Sequence, residues 1–185
     1  LILEIYDNKR AYFLNGKRKQ PNTIQGILPS VLFTPEDLNI VKGSAEMRRS
    51  SIDTLGTQLS KTYAAIRLDY LKVLKQRNAL LRERFIDKDL IESWNQNLAH
   101  LGALYLLNRT KLFKRLMENT TKIYPALSPE ERFSYRYIPS YQSESNEGEY
   151  SNPDKLSKTE IECILLSTLE ARKNEEYVRR KSLVG

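Results

Sequence analysis

Apolar residues recur every three or four positions in two long stretches of this chain. The first stripe runs from Thr57 to Leu81, and the second runs from Leu90 to Ile123. This spacing places the apolar side chains on one face of an α-helix. At about 1.5 Å per residue, the two helices would be roughly 40 and 50 Å long. The short segment 84–88 (RFIDK) between them predicts that they fold back as an antiparallel pair.

Alternating apolar and polar residues, a pattern typical of strands, occur in other parts of the chain. Residues 3–14 alternate and are followed by Asn15-Gly16, the dipeptide favoured in type I′ turns, so one or two hairpins are expected. Residues 27–34 (ILPSVLFT) and 133–141 (FSYRYIPSY) predict further strands, and 179–185 (RRKSLVG) leads toward another.

Capping patterns predict where the shorter helices begin. Residues 34–37 (TPED) combine a threonine N-cap with a proline at the first helical position, so a short helix should start there. Ser44 should cap a second helix that ends near Gly56. Residues 157–160 (SKTE) form a capping box that opens a last helix, which is expected to run through Tyr177.

These elements predict a mainly α protein with a small β part, that is, an α+β fold. A long antiparallel helical hairpin forms an arm on a small β-rich base. Residues 1–43 are assigned to the β-rich segment, 44–132 to the arm, and 133–185 to a strand, a loop and a helix that return toward the base. Residues 142–154 are polar, acidic and poor in apolar residues, so we expect a mobile loop there.

The composition is typical of a soluble cytoplasmic protein. Of the 185 residues, 40% are hydrophobic and 29% are charged. The single cysteine, Cys163, excludes an intramolecular disulfide and, between apolar neighbours, is expected to be a small buried hydrophobe. The longest nearly apolar run, residues 101–107, is far shorter than the ~18 residues of a membrane span, and no signal peptide is recognisable.

A net charge of +7 and a pI of about 9.4 favour anionic partners such as nucleic acid. Four groups of basic residues are candidates for phosphate contacts, whose affinity would fall steeply with salt. For each group the alternative is a solvated helix face with glutamates nearby. The groups are Arg48-Arg49; Lys61, Lys72, Lys75 and Arg82; Lys111, Lys114 and Arg115; and Arg179-Arg180-Lys181.

No residue pattern predicts catalysis by this chain alone. It has no Gly-x-x-x-x-Gly-Lys-Ser/Thr phosphate loop, and His100 has no cysteine or carboxylate at ligand spacing, so no cofactor or metal is expected in it. Glu175-Glu176 is expected to be a surface pair in the last helical turn. A stand-alone enzyme is therefore the least supported hypothesis, and nucleotide turnover by this chain would revive it.

One charged residue falls on the apolar side of the first long helix. Helical spacing places Arg77 two turns from Tyr70 and one turn from Leu81 on the same face, and burying a guanidinium is costly unless a partner satisfies it. Two hypotheses explain why the polar residues 76–78 (QRN) lie at this point of the helix. They belong to a hydrogen-bonded polar layer that fixes the register of the helices, or Arg77 projects to an acidic partner or DNA.

Five stretches match one family in order and spacing. They are FLNGKRK, VLFTPEDLNIVKGSAEMRRSSID, YLKVLKQRNALL, WNQNLAHLGALYLLNRTKLF and YRYIPSY. Together they resemble RecF, a family of bacterial recombination mediators, and the final SLVG is similar to the start of that family's Gly-Pro-His-Arg-Asp stretch. The resemblance runs from the first strands to Gly185 and covers nearly the whole chain.

The resemblance implies a head-and-arm ATPase of the ABC class, similar to the heads of SMC and Rad50 proteins. Such a protein binds ATP and Mg, dimerises on ATP and binds duplex DNA. With RecO and RecR it helps to load RecA at single-strand gaps, in replication, recombination, repair and the SOS response. This chain is expected to begin after the Walker A loop and to stop before the signature and Walker B motifs. It would then be an arm-domain fragment that does not hydrolyse ATP.

The resemblance and the basic face of the first long helix together suggest roles for particular residues; the resemblance itself reaches Arg48 and Arg49, whereas the lysines and Arg82 come from the charge pattern. Candidate DNA or dimer contacts are Arg48, Arg49, Lys61, Lys72, Lys75 and Arg82. The candidate polar register layer consists of Gln76, Arg77, Asn78, Asn108 and Arg109. The head-coupling segment, which lies where ABC heads have their Q-loop, consists of Thr34, Pro35, Glu36 and Asp37. For Arg48 and Arg49 the alternative is that one of them tethers the first arm helix to the head.

A second function remains open at this point. The arm would be purely structural or would bind protein, through RecR docking or a dimer contact, without touching DNA. The aromatic residues of the long helices favour this alternative, because they are spaced as core and are not interleaved with the basic residues as a stacking platform would be. A salt-dependent affinity for DNA distinguishes the two functions.

Overall fold

The computed structural model describes residues 1–7, 9–24, 26–141 and 153–184. The chain divides into two compact units, Leu1–Ala64 and Ala65–Gly185. Within the described residues, an α+β fold is present with one three-stranded antiparallel sheet and a predominance of helix, so the predicted fold class is confirmed.

The sheet of the first unit is formed by the predicted hairpins. Its strands are β1 (Ile2–Tyr6), β2 (Lys9–Leu14) and β3 (Lys17–Lys19), in that order. Asn15 and Gly16 connect β2 to β3 with φ angles of 52° and 73°. A type I′ turn requires positive φ at both central positions, which explains why this dipeptide closes the hairpin.

The predicted strand at residues 27–34 is wrong, because these residues form no strand. Their apolar side chains lie in solvent, with Leu28, Val31, Leu32 and Phe33 all at least three-quarters exposed. An apolar run becomes a strand only where another strand pairs with its backbone. The Ser30 N–H instead donates to a side-chain oxygen of Gln58, 2.9 Å away.

The 3₁₀ turn and the longest helix of the first unit begin where the capping residues predict, whereas a short helix at Pro21–Ile24 was not predicted. After the short helix α1 (Pro21–Ile24) come a 3₁₀ turn, Pro35–Leu38, and α2 (Asn39–Lys42). The next helix, α3 (Ala45–Leu59), starts after Ser44, whose hydroxyl accepts the Met47 N–H at 3.3 Å. α3 does not end near Gly56 as predicted. Gly56 lies inside the helix, and glycine is required there because a Cβ would come within 2.8 Å of the Tyr63 ring.

The prediction of one continuous helix from Thr57 to Leu81 is also wrong. Ser60 interrupts it with extended backbone (φ −144°, ψ 119°), and its hydroxyl caps the next helix by accepting the Tyr63 N–H at 3.1 Å. The break lets the Tyr63 hydroxyl donate to buried Asp53 at 2.5 Å. α4 therefore spans Lys61–Leu80, about 30 Å.

α5 (Lys88–Leu127) is longer than predicted, with 40 residues and a length of about 60 Å. Its N-cap, Asp87, accepts the N–H groups of the next turn at 3.0 Å. The second unit contains the predicted antiparallel hairpin of α4 and α5. The Tyr70 and Tyr105 rings are 5.2 Å apart, and Arg77 bonds to Asn95, so residues later in α4 meet residues earlier in α5.

The last helix, α6 (Lys158–Arg179), completes a three-helix bundle in the second unit. Ile161, Leu165 and Leu169 form its buried stripe, and Glu176 bonds to Arg77 of α4. Cys163 lies off this stripe and is exposed, so the prediction of a buried cysteine is wrong. The error arose because apolar neighbours in sequence point in different directions on a helix.

Two further predicted strands are absent from the described residues. Residues 133–141 instead run along α5, where Phe113 packs edge-on against Tyr135 and Tyr137 at 5.8 and 5.4 Å. The alternation marks one face packed on a helix rather than one face of a sheet. Residues 180–184 are irregular as well. The predicted loop at 142–154 lies outside the described residues as far as residue 152, and Pro153–Lys155 form a 3₁₀ turn.

The capping box of α6 predicts a pH-dependent stabilisation. The pKa of Glu160 lies below its usual value. The larger cause is the hydrogen bond from the Ser157 backbone N–H, and the smaller is the hydrogen bond with the Ser157 hydroxyl. Because the folded-state pKa is depressed, this stabilisation is present above the unfolded-state pKa and is lost as the pH falls through the folded-state value. Glu160→Gln keeps an acceptor but removes the charge. At neutral pH the Glu160→Gln variant should melt at a lower temperature than wild type. Well below pH 4.5 the two melting temperatures should become equal. A difference that persists in acid would show that the charge is not responsible.

Candidate functional site

The centre of the three-helix bundle holds a buried arginine with three side-chain partners. Arg77 is 2% exposed. Its Nε donates to Asn95 Oδ1 at 2.7 Å, one terminal nitrogen donates to Ser182 Oγ at 2.6 Å, and the other donates to Glu176 Oε2 at 2.5 Å. The guanidinium therefore connects α4 with α5, with α6 and with the segment that follows α6.

Further hydrogen bonds complete this network around the segment after α6. Glu176 is fully buried, and its second carboxylate oxygen accepts the Leu183 N–H at 2.6 Å. Asn78 accepts the Ser182 N–H at 2.7 Å. Both charges are thus paired and hydrogen-bonded, which is what makes their burial tolerable. The network fixes Ser182 against α4 and Leu183 against α6.

The structure brings only part of the predicted polar layer together. Arg77 and Asn78 belong to the network, whereas Gln76 is exposed. Asn108 donates to the Leu104 carbonyl of its own helix at 2.8 Å, and the Arg109 guanidinium lies 4.2 Å from the centre of the Tyr105 ring.

Sequence reasoning missed three members of the network: Asn95, Glu176 and Ser182. Glu176 was predicted to lie at the surface, which is wrong. A signal for it exists in the sequence, because Glu176 is seven residues after Leu169 and so continues the apolar stripe of α6. An acidic residue on that stripe is the natural partner for an arginine on the stripe of α4.

A cluster of Tyr70, Tyr105 and Arg109 lies farther along the bundle. Burial raises the pKa of Tyr70 to about 12, and the positive charge of Arg109 acts in the opposite direction without outweighing it. Tyr70 therefore stays protonated at physiological pH and offers no group for acid–base catalysis. The cluster is part of the core.

The candidate DNA-contact residues of α4 share one side of that helix. Helical spacing places Lys61, Lys72, Lys75 and, just beyond its end, Arg82 within about 80° of one another, and all are exposed. Lys72 forms an ion pair with Asp69 at 3.0 Å that is itself well exposed. Such a pair is weak, so the ammonium is available to an anion.

The candidate residues of the first unit have local roles in the structure. Arg48 is exposed and donates to the Gly43 carbonyl at 2.8 Å, while Arg49 is half-buried. In the head-coupling segment, the Thr34 N–H donates to Asp37 Oδ2 at 2.7 Å and closes the 3₁₀ turn on itself. Pro35 and Glu36, between them, are exposed.

The described residues offer no metal centre. They contain no group of three or more histidine, cysteine or carboxylate side chains that would hold an ion. His100 lies 3.4 Å from a carboxylate oxygen of Glu162 in a half-exposed pair. In the same part of the chain, no helix is both long and apolar enough to cross a membrane.

Comparison with known proteins agrees with the sequence motifs. No protein-family model matches the chain. It is 35% identical over 186 residues to the DNA replication and repair protein RecF of Streptomyces avermitilis, which aligns 95% of this chain with 47% of that protein. Solved structures of the recombination mediator protein RecF-ATPrS and RecF-ATP in the RecFOR pathway match 96% of this chain with TM-scores of 0.82. Their identities to it are 25% and 24%, and it covers 46% of each.

The described elements define the class, an α+β protein whose second unit is a three-helix bundle with a buried ionic centre. Within this class the chain is a RecF-like protein, and the resemblance predicted from the sequence is confirmed. It spans about half the length of the relative and the solved structures that it matches.

Proposed function

We propose that this chain supplies the arm and adjoining head segments of a cytoplasmic DNA replication and repair protein of the RecF type. In that protein an ATP-dependent homodimer binds duplex or gapped DNA and, with RecO and RecR, helps to load RecA at single-strand gaps. The observation that carries the proposal is the agreement with solved RecF structures over 96% of the chain at a TM-score of 0.82.

Within that protein we assign DNA-backbone contact to the exposed basic side of α4. Lys61, Lys72 and Lys75 are spaced along about 20 Å of helix, a length over which a duplex presents several phosphates. ATP and Mg would bind to RecF segments that this chain does not cover, because its sequence has no phosphate-binding loop. This chain alone would not hydrolyse ATP.

A purely structural or protein-binding arm is the second candidate function. The observation that favours it lies on the same side of α4, where Leu68 and Leu71 are 47% and 39% exposed among the lysines. A mixed apolar and basic helix face also suits a protein partner such as RecR or a second copy of the chain.

The test is the fluorescence anisotropy of a labelled duplex and a labelled gapped duplex with the 185-residue chain, across a salt series. Wild type should bind with an affinity whose logarithm falls linearly with log salt. Lys72→Glu/Lys75→Glu should weaken binding about tenfold and reduce the salt slope by about two, since two phosphate contacts are lost.

The matched control for this test is Lys122→Glu/Arg132→Glu, which makes the same charge change at exposed positions outside the four basic groups. Circular dichroism establishes that both variants keep their helices. No binding of wild type to either DNA at low salt would reject DNA contact by this chain and would favour the protein-binding arm.

A further inference from the structure

A small cavity lies inside the second unit, where α4, α5, α6 and residues 140–141 meet, and we refer to it as the bundle cavity. Its volume is about 40 Å³. A cavity needs roughly 10–15 Å³ to hold one water-sized particle, so this one has room for a small ligand. Leucines of α5 and α6 form its apolar walls, and its polar lining consists of Tyr70, Arg109, Ser140 and Tyr141.

Two tyrosine hydroxyls at the bundle cavity have no hydrogen-bond partner within the described residues. The Tyr141 hydroxyl is buried and has none. Tyr70 is 6% exposed and likewise forms no hydrogen bond there, since its raised pKa arises from burial and from neighbouring charges only. Buried hydroxyls without a partner are costly and uncommon in native proteins. The two tyrosines therefore point to a ligand that accepts hydrogen bonds.

The electrostatic field in the bundle cavity is positive. Burial raises the pKa of Tyr70 to about 12, and the positive charges of Arg109 and, more weakly, Arg77 act against this rise. The charge of Arg77 is balanced by its ion pair with Glu176, so Arg109 supplies the unbalanced charge that lines the cavity. No carboxylate is present among the described residues that line it. Because both tyrosines have raised pKa values, their hydroxyls stay protonated and remain donors.

We propose that the bundle cavity binds one monovalent anion of the size of chloride, held by the Arg109 guanidinium and by the hydroxyls of Tyr70 and Tyr141. All three groups donate hydrogen bonds, and an anion accepts from all of them. One cation balances one negative charge. A guanidinium has five N–H groups, so Arg109 can donate to the anion while it keeps its other contacts, including the one with the Tyr105 ring at 4.2 Å.

The size of the cavity distinguishes this ligand from nucleic acid and nucleotides. A backbone phosphate of DNA has a sugar on either side, and a nucleotide is several times larger than a space of about 40 Å³. The site is therefore separate from the proposed DNA contact on α4 and does not depend on it. Water fits the cavity by size and is the competing occupant. Because water is uncharged, hydration of the cavity would make stability independent of which anion is present.

Thermal unfolding of the 185-residue chain, followed by circular dichroism, measures binding. Sodium chloride replaces sodium gluconate at constant ionic strength, so that screening of the surface charges does not change. Gluconate is too large for the cavity. The melting temperature should rise with chloride and approach saturation, as expected for a ligand that binds only the folded state. Bromide should act as chloride does. A linear rise without saturation would indicate a general salt effect and would contradict the proposal.

Two substitutions test whether the response arises at the bundle cavity. Tyr70→Phe and Tyr141→Phe each remove one donor and keep the ring. Each should raise the apparent dissociation constant for chloride roughly 10- to 100-fold, the range for the loss of one hydrogen bond to a charged group. Tyr177→Phe is the matched control. The Tyr177 hydroxyl is also buried without a partner in the described part of the chain, but it packs against the Leu80–Leu81 cluster and does not line the cavity. This variant should respond to chloride as wild type does.

Crystals grown in bromide locate the anion directly by anomalous scattering. We expect a bromide peak in the bundle cavity beside Arg109, Tyr70 and Tyr141. A saturable response that both cavity variants retain would place the anion elsewhere and overturn the proposal. A bromide peak without a saturable response would show binding at crystal concentration only, and an ordered water in its place would show hydration, so either result rejects an anion site. None of these measurements uses DNA, so their outcomes leave the proposed function untouched.

Discussion

Replacement of Arg77 by methionine is expected to lower the free energy of unfolding by about 3–5 kcal/mol. Methionine is similar in length and fills the space, but it leaves the fully buried Glu176 carboxylate without its cation. It also removes the guanidinium N–H groups that donate hydrogen bonds to Asn95 and Ser182. Urea unfolding followed by circular dichroism measures the change, because the loss should appear in the midpoint with little change in slope.

A second substitution distinguishes the effect of the unpaired Glu176 charge from the effect of lost packing. Glu176→Gln in the Arg77→Met background removes the unpaired charge and keeps an acceptor for the Leu183 N–H. It should recover more than half of the lost stability. Arg179→Met, which breaks the exposed pair with Glu175, is the matched control and should change stability by less than about 1 kcal/mol. If the double variant is as unstable as Arg77→Met, lost packing rather than a stranded charge explains the effect.

The same network shows what the sequence reveals about a buried site and what it does not. The position of Arg77 on an apolar stripe follows from helical phase alone, so its burial was foreseeable. Its partners were not, because Glu176 and Ser182 are about a hundred residues away and meet it only when α6 packs on the hairpin. The helical phase of α6 limits which of its residues can be buried, but it does not show that Glu176 contacts Arg77, because that contact forms only in the tertiary structure.

Helix starts were predictable because capping is local. Ser44 and Ser157 form hydrogen bonds within their own first turns, and these bonds depend on nearby residues only. The break at Ser60 is different. The apolar stripe continues through it, and the break places the Tyr63 side chain against Gly56 and within reach of Asp53. The spacing of apolar residues along the sequence does not predict that packing.

Alternating residues misled in a different way. Apolar residues at every second position indicate that an extended segment has one apolar face, but they do not indicate what packs against that face. At residues 133–141 the cover is a helix, through the aromatic contacts of Phe113. At residues 27–34 the described residues supply no pairing strand, and the apolar side chains remain in solvent.

Leu81→Ala is expected to lower the free energy of unfolding by about 2–5 kcal/mol. Leu81 is fully buried beside Leu80 and Ile91 at the end of the bundle. The loss combines the transfer of the missing side-chain atoms with the cost of the cavity that remains. Trp94 packs against this cluster and is the only tryptophan in the chain, so its fluorescence in urea reports on this end of the bundle directly.

The control for this prediction is Leu68→Ala, the same change on α4 at a side chain that is 47% exposed. It should change stability by less than about 1 kcal/mol, because little apolar area is lost and alanine favours helix. Where Leu81→Ala falls within its range depends on how far the loop after α4 relaxes into the cavity. That loop carries Arg84 and Phe85, so relaxation that limits the loss of stability should displace these two residues. Equal effects of the two substitutions would show that Leu81 is not buried in solution.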